Sequence, residues 1–327
     1  MKKILIVKLG DIGDVIECLY LYDYIKKANQ NIEIHWLVGV NSIPILQRYG
    51  VDKIYTIDSN GLIYGNILKK VINVVKSWKK ISFKKFDAIY LCHRDYKYRL
   101  LTCFTYKETF SQLNNFTNMN RILEYINLFD INKKDVNINP IRFNRINNIF
   151  ERAENDFIVA LAPGGVEHSS QRYNKWIRQW QIEKYVELAK FLIDKKCRVI
   201  LTGDKNDFWV EKYFYGLSVE SYIGKTDLNE TIDLYASVDC VVTVDSGPMH
   251  LACLSGSEVI ILFGPTNSST IAPPGENVHV INSKIHLNCS PCYDGRNYAK
   301  CESKDCLKNI EAIEVLQMIN ELLRKKM

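Results

Sequence analysis

The stretch Cys240–Thr266 reads CVVTVDSGPMHLACLSGSEVIILFGPT and predicts a strand, a tight turn, a helix and a second strand in direct succession. Val241–Val244 is β-branched and apolar, as a buried strand is, and a polar turn interrupts it. Pro248 suits the first turn of the helix, and Val259–Phe263 provides the second strand. The pattern is typical of one repeat of a parallel α/β sheet.

The two loops that leave these strands predict an anion-binding site. Parallel strands end at one edge of their sheet, so Asp245-Ser246-Gly247 and Gly264-Pro265-Thr266 should lie close together where ligands bind. The free N–H groups and the dipole of a helix start favour a diphosphate. The candidate binding residues are Asp245, Ser246, Gly247, Met249, His250 and Thr266. The alternative is a helix merely capped by its own side chains.

Length and composition predict an ordinary globular protein with two cores. The chain has 327 residues, of which 47% are hydrophobic and 24% charged, and its net charge is +6. This mild positive charge favours acidic substrates or an anionic membrane surface, and no basic block interleaved with aromatics indicates nucleic-acid binding. No apolar run is long enough to span a bilayer, so we expect any membrane contact to be peripheral.

Strands alternate with helices in both halves of the chain. This alternation predicts two Rossmann-like domains, residues 1–150 and 151–327, with a polar linker near Asp130–Asp156. In the first half a glycine-bearing loop separates a strand near Lys3–Lys8 from a helix. The expected strands of both halves are Lys3–Lys8, Glu33–Val38, Lys53–Ile57, Phe86–Cys92, Phe157–Ala162, Arg198–Thr202, Cys240–Val244 and Val259–Phe263.

The string DSGPMHLA at 245–252, followed by a strand and FGPT at 263–266, resembles the signature of glycosyltransferase family 9, the ADP-heptose:lipopolysaccharide heptosyltransferases. The resemblance covers most of the chain, strongly at the amino terminus and at Cys240–Thr266, and weakly between Lys97 and Asp156. It implies a GT-B fold, two Rossmann-like domains with a cleft between them. It also implies inverting transfer of heptose from ADP-heptose to a hydroxyl of the lipopolysaccharide core, with no cofactor required.

Asp14 is the candidate catalytic base. Transfer needs a group that deprotonates the acceptor hydroxyl, and Gly13-Asp14 matches the Gly-Asp of the family's amino-terminal motif. Gly10-Asp11 precedes it, which leaves Asp11 as a rival for the same role. The alternative for Asp14 is a helix-capping carboxylate.

Three further positions could meet charged groups of the substrates. The resemblance places Lys175 at the donor's phosphates, in a basic stretch with Arg172, and places Asp207 near the ribose, although Asp207 could equally cap a helix. His93-Arg94 follows a strand of the first half and is expected to face an acidic acceptor.

Four of the ten cysteines cluster near the carboxyl terminus, at Cys289, Cys292, Cys301 and Cys306. Cys-x2-Cys followed by two more cysteines is compatible with a structural Zn or Fe site, and reduced thiols or a surface disulfide are the alternatives. The other six are scattered among apparent strands and helices, as buried thiols of a reducing cytoplasm are. We therefore expect a cytoplasmic location, at the inner face of the inner membrane if it is membrane-associated.

Three other functions stay open. A protein O-heptosyltransferase with a metal-binding tail would use a protein acceptor instead of lipopolysaccharide. A nucleotide-sugar epimerase or hydrolase of the same fold would turn over the donor without an acceptor, and a non-catalytic subunit would bind the nucleotide only.

Overall fold

The computed structural model describes residues 2–113, 118–130, 136–164, 176–294, 298–301 and 303–326. These residues divide into two compact units, Met1–Ile138 and Asn139–Met327. The sequence analysis places this boundary after residue 150. Residues 141–156 instead pack along the second unit, where Phe143 N–H donates to Leu254 O (2.7 Å) and Arg152 pairs with Asp239 (2.7 Å).

The first unit is a parallel α/β sheet of five strands in the order β3-β2-β1-β4-β5. Two 3-10 helices, Val40–Ser42 and Tyr96–Thr102, join the regular elements. In chain order these are β1 (Lys3–Val7), α1 (Ile12–Ala28), β2 (Glu33–Gly39), α2 (Ile43–Tyr49), β3 (Lys53–Ile57), α3 (Ser59–Ile63), α4 (Ile67–Ile81), β4 (Lys85–Leu91), β5 (Tyr106–Gln112) and α5 (Arg121–Ile126).

The second unit is a parallel sheet of six strands in the order β11-β10-β9-β6-β7-β8. It contains one 3-10 helix, Lys205–Phe214. The other elements are β6 (Ile158–Leu161), α6 (Ile182–Asp194), β7 (Arg198–Leu201), β8 (Val219–Ser221), α7 (Leu228–Tyr235), β9 (Cys240–Val244), α8 (Gly247–Ser255), β10 (Glu258–Phe263), α9 (Ser268–Ile271), β11 (Val278–Asn282), α10 (Asp305–Lys308) and α11 (Ala312–Lys326).

The strand order creates one switch point in each sheet. In the first unit β1 lies between β2 and β4, and in the second unit the chain builds β6, β7 and β8 outward before β9 returns to the other side of β6. The loops after β1, β6 and β9 therefore diverge at the carboxyl edges of their sheets. Crevices of this kind are where doubly wound sheets bind ligands.

Buried apolar side chains explain why the central strands were visible in the sequence. β1, β6 and β9 lie inside their sheets, and nearly all of their residues are buried. The sequence analysis missed β5, β8 and β11, which are edge or near-edge strands with mostly polar or half-exposed residues. Edge strands have one unpaired side and need no continuous apolar run, so periodicity does not reveal these three, whereas the edge strand β3 is apolar enough at Ile54, Tyr55 and Ile57 to be predicted.

The segment from Ser59 to Ile81 forms two helices. α3 ends at Ile63, and Asn66 starts α4 by accepting the Lys69 N–H through its side chain (3.0 Å). Gly65 lies between them, where an added Cβ would stand 2.2 Å from Gly61 O. Within the described residues, no helix combines the length and apolar character needed to cross a membrane.

Candidate functional site

The start of α8 is open and carries no anion of its own. Ser246 is the N-cap residue, but its hydroxyl donates to Val244 O (3.3 Å) and makes no capping bond to the helix. No acidic residue occupies the first turn, and a Cβ built on Gly247 meets nothing within 4 Å. Among the described residues, the space beside Gly247 at this helix start is therefore open, and a helix start is a place that can receive a phosphate group.

Thr266 lies at the same sheet edge. β9 and β10 are in parallel register with Val244 opposite Leu262, so the loops after both strands emerge together. The Thr266 side chain is only 4% exposed, and its Oγ1 has no hydrogen-bond partner among the described residues. A buried hydroxyl without a partner costs free energy, which a bound polar ligand would recover. Met249 and His250 are also buried in this region.

Arg178 adds a positive charge beside the same loop. Its guanidinium lies 3.6 Å from the Asp245 carboxylate, and both side chains are largely buried. The sequence analysis named Asp245 and missed Arg178. The sequence feature that could have indicated Arg178 is its position in the basic stretch NKWIRQW, which also contains Lys175. Lys175 and Arg172 lie outside the described residues, so their placement stays a prediction.

Asp207 has the capping geometry that the sequence analysis left open. Its carboxylate accepts the Asp204 N–H (2.9 Å), which completes a capping box at the start of the 3-10 helix. It is 4% exposed and fits against two glycines, because a Cβ on Gly164 would lie 2.1 Å from its carboxyl group. Asp207 therefore shapes the ends of β6 and β7, and its contact with a ribose stays a prediction.

Asp14 is held in the first turn of α1 by two cations. Its carboxylate lies 3.5 Å from Lys8 Nζ and 3.3 Å from Arg121 Nη1, and 30% of its side chain is exposed. Lys8 is itself buried and lies 5.3 Å from the centre of the Tyr125 ring. The two cations stabilise the negative charge of Asp14, while its partial exposure leaves it accessible to a proton donor.

Gly10 is required by the position of the Asp14 side chain. A Cβ at residue 10 would stand 2.4 Å from Asp14 Oδ2 and 2.9 Å from Asp14 Cβ. Any other residue there would push the carboxylate away from Lys8. Asp11 is exposed, and it is the N-cap residue of α1 without a side-chain capping bond. The loop is therefore built around Asp14 rather than Asp11.

His93 supports this loop as a neutral side chain. Its Nε2 accepts the Leu9 N–H (2.7 Å), so the neutral ring carries its proton on Nδ1, and the ring stacks on Tyr98 at 3.9 Å. Burial, with a smaller effect of nearby Lys8, holds the pKa of His93 well below its usual value. Arg94 pairs with the carboxylate of Glu124, and contact of His93-Arg94 with an acidic acceptor stays a prediction.

The cysteine tail supports the loop after β10. Ser290 Oγ donates to Gly264 O (2.7 Å), and the N–H groups of Cys292 and Tyr293 donate to Pro265 O (2.9 and 3.1 Å). Gly264 is needed here, because a Cβ would stand 3.0 Å from Cys306 Sγ. The tail therefore fixes the backbone that carries Thr266.

The four cysteines of the tail differ in exposure, since Cys289 is exposed, Cys292 and Cys301 are half-buried and Cys306 is buried. Lys304 N–H donates to Cys301 Sγ (3.3 Å), while burial raises the pKa of Cys306 to about 11 and also raises the pKa of Cys292. Across the described residues, including all four tail cysteines, no group of three or more His, Cys, Asp or Glu is placed to hold a metal ion.

The family profile described as "Glycosyltransferase family 9 (heptosyltransferase)" matches residues 165–302. The lipooligosaccharide heptosyltransferase 2 of Haemophilus ducreyi is 31% identical over 179 residues, which cover 52% of this chain and 49% of that protein. The matched region thus spans half or less of the length of the first curated relatives.

Two solved structures share the fold over nearly the whole chain. The family 9 glycosyltransferase of Veillonella parvula gives a TM-score of 0.77 at 16% identity and covers 99% of this chain and 98% of that one. The Escherichia coli heptosyltransferase WaaC with ADP gives 0.72 at 17% identity, covering 98% and 99%. The expected α/β GT-B fold class is confirmed.

Proposed function

We propose that this chain belongs to glycosyltransferase family 9 and transfers heptose from ADP-heptose to a sugar hydroxyl of the lipopolysaccharide core. The observation that carries the proposal is the start of α8, which has no acidic residue in its first turn, beside the buried hydroxyl of Thr266, which has no hydrogen-bond partner among the described residues. A diphosphate there would meet backbone N–H groups and a hydroxyl donor together. The heptosyltransferase names of the relatives support heptose as the transferred sugar.

In the proposed reaction the Asp14 carboxylate accepts the proton of the acceptor hydroxyl. The acceptor oxygen then bonds to the anomeric carbon, and the bond from that carbon to the diphosphate oxygen breaks with inversion. ADP leaves with the electron pair, and the start of α8, Thr266 and Lys175 stabilise its charge. Lys8 and Arg121 hold the base in position, and Gly10 leaves room for it.

Calorimetric titration with ADP, UDP and GDP, without added metal, tests the donor. ADP should bind at least about tenfold more tightly than the other two, because the donor is an ADP-sugar. Transfer is then measured with ADP-heptose and lipopolysaccharide from a heptose-deficient strain. Preference for UDP or GDP would overturn ADP-heptose as the donor, and donor hydrolysis that is independent of acceptor would favour the epimerase or hydrolase alternative.

A protein O-heptosyltransferase, which uses a protein as the acceptor, is the second candidate function. The cysteine tail is the feature that favours it. Heptose incorporation into protein, rather than into lipopolysaccharide, would support it. The Zn or Fe proposal for Cys289, Cys292, Cys301 and Cys306 is tested by elemental analysis of the purified protein. About one metal ion per chain, lost when Cys301 is changed to Ser, would support it. Metal-free protein with four titratable tail thiols would exclude it.

We further propose that the enzyme works in the cytoplasm at the inner face of the inner membrane, where a lipid-anchored acceptor can be reached. Fractionation of cells into cytosol and inner and outer membranes tests this location. Recovery in the outer-membrane or secreted fraction would contradict it.

A further inference from the structure

We infer that α4 is a membrane-docking helix that lies on an anionic phospholipid surface, with its apolar side facing the lipid. This inference deepens the proposed function by naming the surface through which the enzyme meets a lipid-anchored acceptor. Its physical basis is independent of the donor, because it rests on the exposure and charge of α4 and the adjoining loops.

The apolar side of α4 faces solvent. Ile67 is 82% exposed, Leu68 68%, Val71 53% and Ile72 43%. These residues are spaced three to four positions apart and form one stripe along the helix. A helix that packs on a globular core normally turns such a stripe inward.

The side of α4 that packs on the first unit contains two buried polar residues beside the buried Ile81. Asn73 and Ser77 are buried, and both donate to backbone carbonyls, Asn73 Nδ2 to Lys69 O (3.0 Å) and Ser77 Oγ to Leu101 O (3.2 Å). Ser77 is bonded to a residue outside α4, so rotation of the apolar stripe into the core would break the hydrogen bond to Leu101 O. The Asn73 hydrogen bond lies within α4 and does not depend on the orientation of the helix. The folded unit therefore leaves the apolar stripe of α4 exposed to solvent.

The apolar surface continues beyond the helix. Trp78 Nε1 donates to Leu100 O (2.6 Å), and the Trp78 ring packs edge-on against Phe104, which is 58% exposed. Phe83 follows at the end of α4, is 98% exposed and has a φ of 62°, a left-handed conformation that is strained for an aromatic residue. Exposed aromatic side chains next to an amphipathic helix are typical of contact with a lipid–water interface. The α4 surface is defined by Ile67, Leu68, Val71, Ile72, Phe83 and Phe104.

The charge around this surface matches an anionic partner. Residues 59–86 contain seven lysines and no aspartate or glutamate. Lys69, Lys70, Lys76 and Lys79 are exposed on α4 itself. Lysines that flank an apolar stripe attract acidic lipid headgroups, each contributing an attraction that salt screens. At 15 residues, α4 is too short to span a bilayer and can only lie along its surface.

Vesicle flotation of the full chain tests the inference. Phosphatidylcholine vesicles with about 30% phosphatidylglycerol are compared with pure phosphatidylcholine, at low salt and at about 0.5 M NaCl. We expect binding to the anionic vesicles at low salt and its loss at high salt. Leu68→Ser/Ile72→Ser and Lys76→Gln/Lys79→Gln should each lower the partition coefficient roughly tenfold or more.

The control variants replace an exposed aromatic residue with serine and two exposed lysines with glutamine on the second unit. Tyr215 is 93% exposed, and Lys195 and Lys212 are exposed lysines. Tyr215→Ser and Lys195→Gln/Lys212→Gln should leave vesicle binding within about twofold of the wild type. All α4 variants replace exposed side chains, so their unfolding transitions should match the wild type.

Equal binding to neutral and anionic vesicles, or α4 variants that bind as the wild type does, would overturn the inference. So would analytical ultracentrifugation showing an oligomer that Leu68→Ser/Ile72→Ser converts to a monomer, since a second copy would then occupy this surface. ADP titration of the same preparations separates the two proposals. Vesicle binding without ADP binding would contradict only the donor, and ADP binding without vesicle binding would contradict only the docking surface.

Discussion

The loops after β1 and after β9 share one architecture and differ in how they treat charge. Each joins a buried parallel strand to the start of a helix at a switch point of its sheet. The first turn of α1 contains Asp14, whose carboxylate already meets Lys8 and Arg121. The first turn of α8 contains no acidic residue and faces open space at Gly247.

The difference shows that the same strand–loop–helix unit can serve two chemical roles. A helix start attracts negative charge wherever it occurs. α1 satisfies that attraction with its own carboxylate, which is then fixed as a candidate proton acceptor. α8 leaves the attraction unsatisfied, and the buried hydroxyl of Thr266 beside it also lacks a partner among the described residues. The second loop is therefore suited to receive an anion from outside.

Replacing the carboxylate of the first loop should have the largest effect. Asp14→Asn should lower kcat for heptose transfer about 100- to 10,000-fold, because the amide cannot accept the acceptor's proton, while the Kd for ADP stays within about twofold. Steady-state kinetics and calorimetry provide the two measurements. Asp11→Asn is the matched control and should change kcat little. If it lowers kcat as strongly as Asp14→Asn does, Asp11 is the base.

A methyl group added to Gly10 should act on the same carboxylate indirectly. Because the new Cβ would lie 2.4 Å from Asp14 Oδ2, Gly10→Ala should displace the base and lower kcat about 100-fold, with ADP affinity unchanged. Kinetics of this variant are compared with those of Gly247→Ala, where the space at Cβ is open. Gly247→Ala should instead weaken ADP binding without destabilising the protein. A loss of kcat without a loss of ADP affinity in Gly247→Ala would break the proposed division of roles.

Removing the hydroxyl of Thr266, in the loop after β10 beside the loop after β9, should separate ligand binding from stability. Thr266→Val should weaken ADP binding about tenfold, since a hydrogen bond to a charged group is lost. The free energy of unfolding without ligand should stay equal or rise, because Oγ1 has no partner among the described residues. Thr102→Val is the control in the first unit, where Oγ1 donates to Arg99 O (3.3 Å), and it should cost about 1 kcal/mol of stability with normal ADP affinity. A loss of stability with unchanged ADP affinity in Thr266→Val would show that the Thr266 hydroxyl stabilises the fold and does not bind the ligand.

Protonation of His93, which supports the loop after β1, should have a smaller and pH-dependent effect on the free energy of unfolding. The pKa of His93 in the folded protein lies well below the unfolded value of 6.5, so below about pH 6.5 the unfolded chain binds more protons. Stability should therefore be complete above this pH and fall as the pH decreases, with a slope of up to about 1.4 kcal/mol per pH unit from this group. Denaturant unfolding between about pH 5 and 8 measures the slope, and His93→Gln should reduce it. An unchanged slope would mean that His93 titrates normally in the folded chain.

Much of the arrangement around the loop after β9 could be predicted from the sequence because its candidate binding residues lie close together in the chain. Strand, turn, helix and strand follow one another within 27 residues, and the candidates Asp245, Ser246, Gly247, Met249, His250 and Thr266 all lie in that stretch. Their roles in binding remain predictions, whereas their arrangement at one sheet edge is what parallel register requires. Arg178 and the supporting tail could not be found in this way, since they approach the loop from distant positions in the chain.

The sequence alone therefore determined the two α/β halves, their buried central strands and the loops that leave them, because these follow from local hydrophobic periodicity and turn chemistry. Tertiary structure alone decided which side chains meet in space. It paired Asp14 with Arg121, which is 107 residues away, placed His93 as a neutral acceptor of the Leu9 N–H, and turned the apolar side of α4 toward solvent. Such outcomes depend on competition among all available partners and surfaces for burial, and no local pattern in the sequence records that competition.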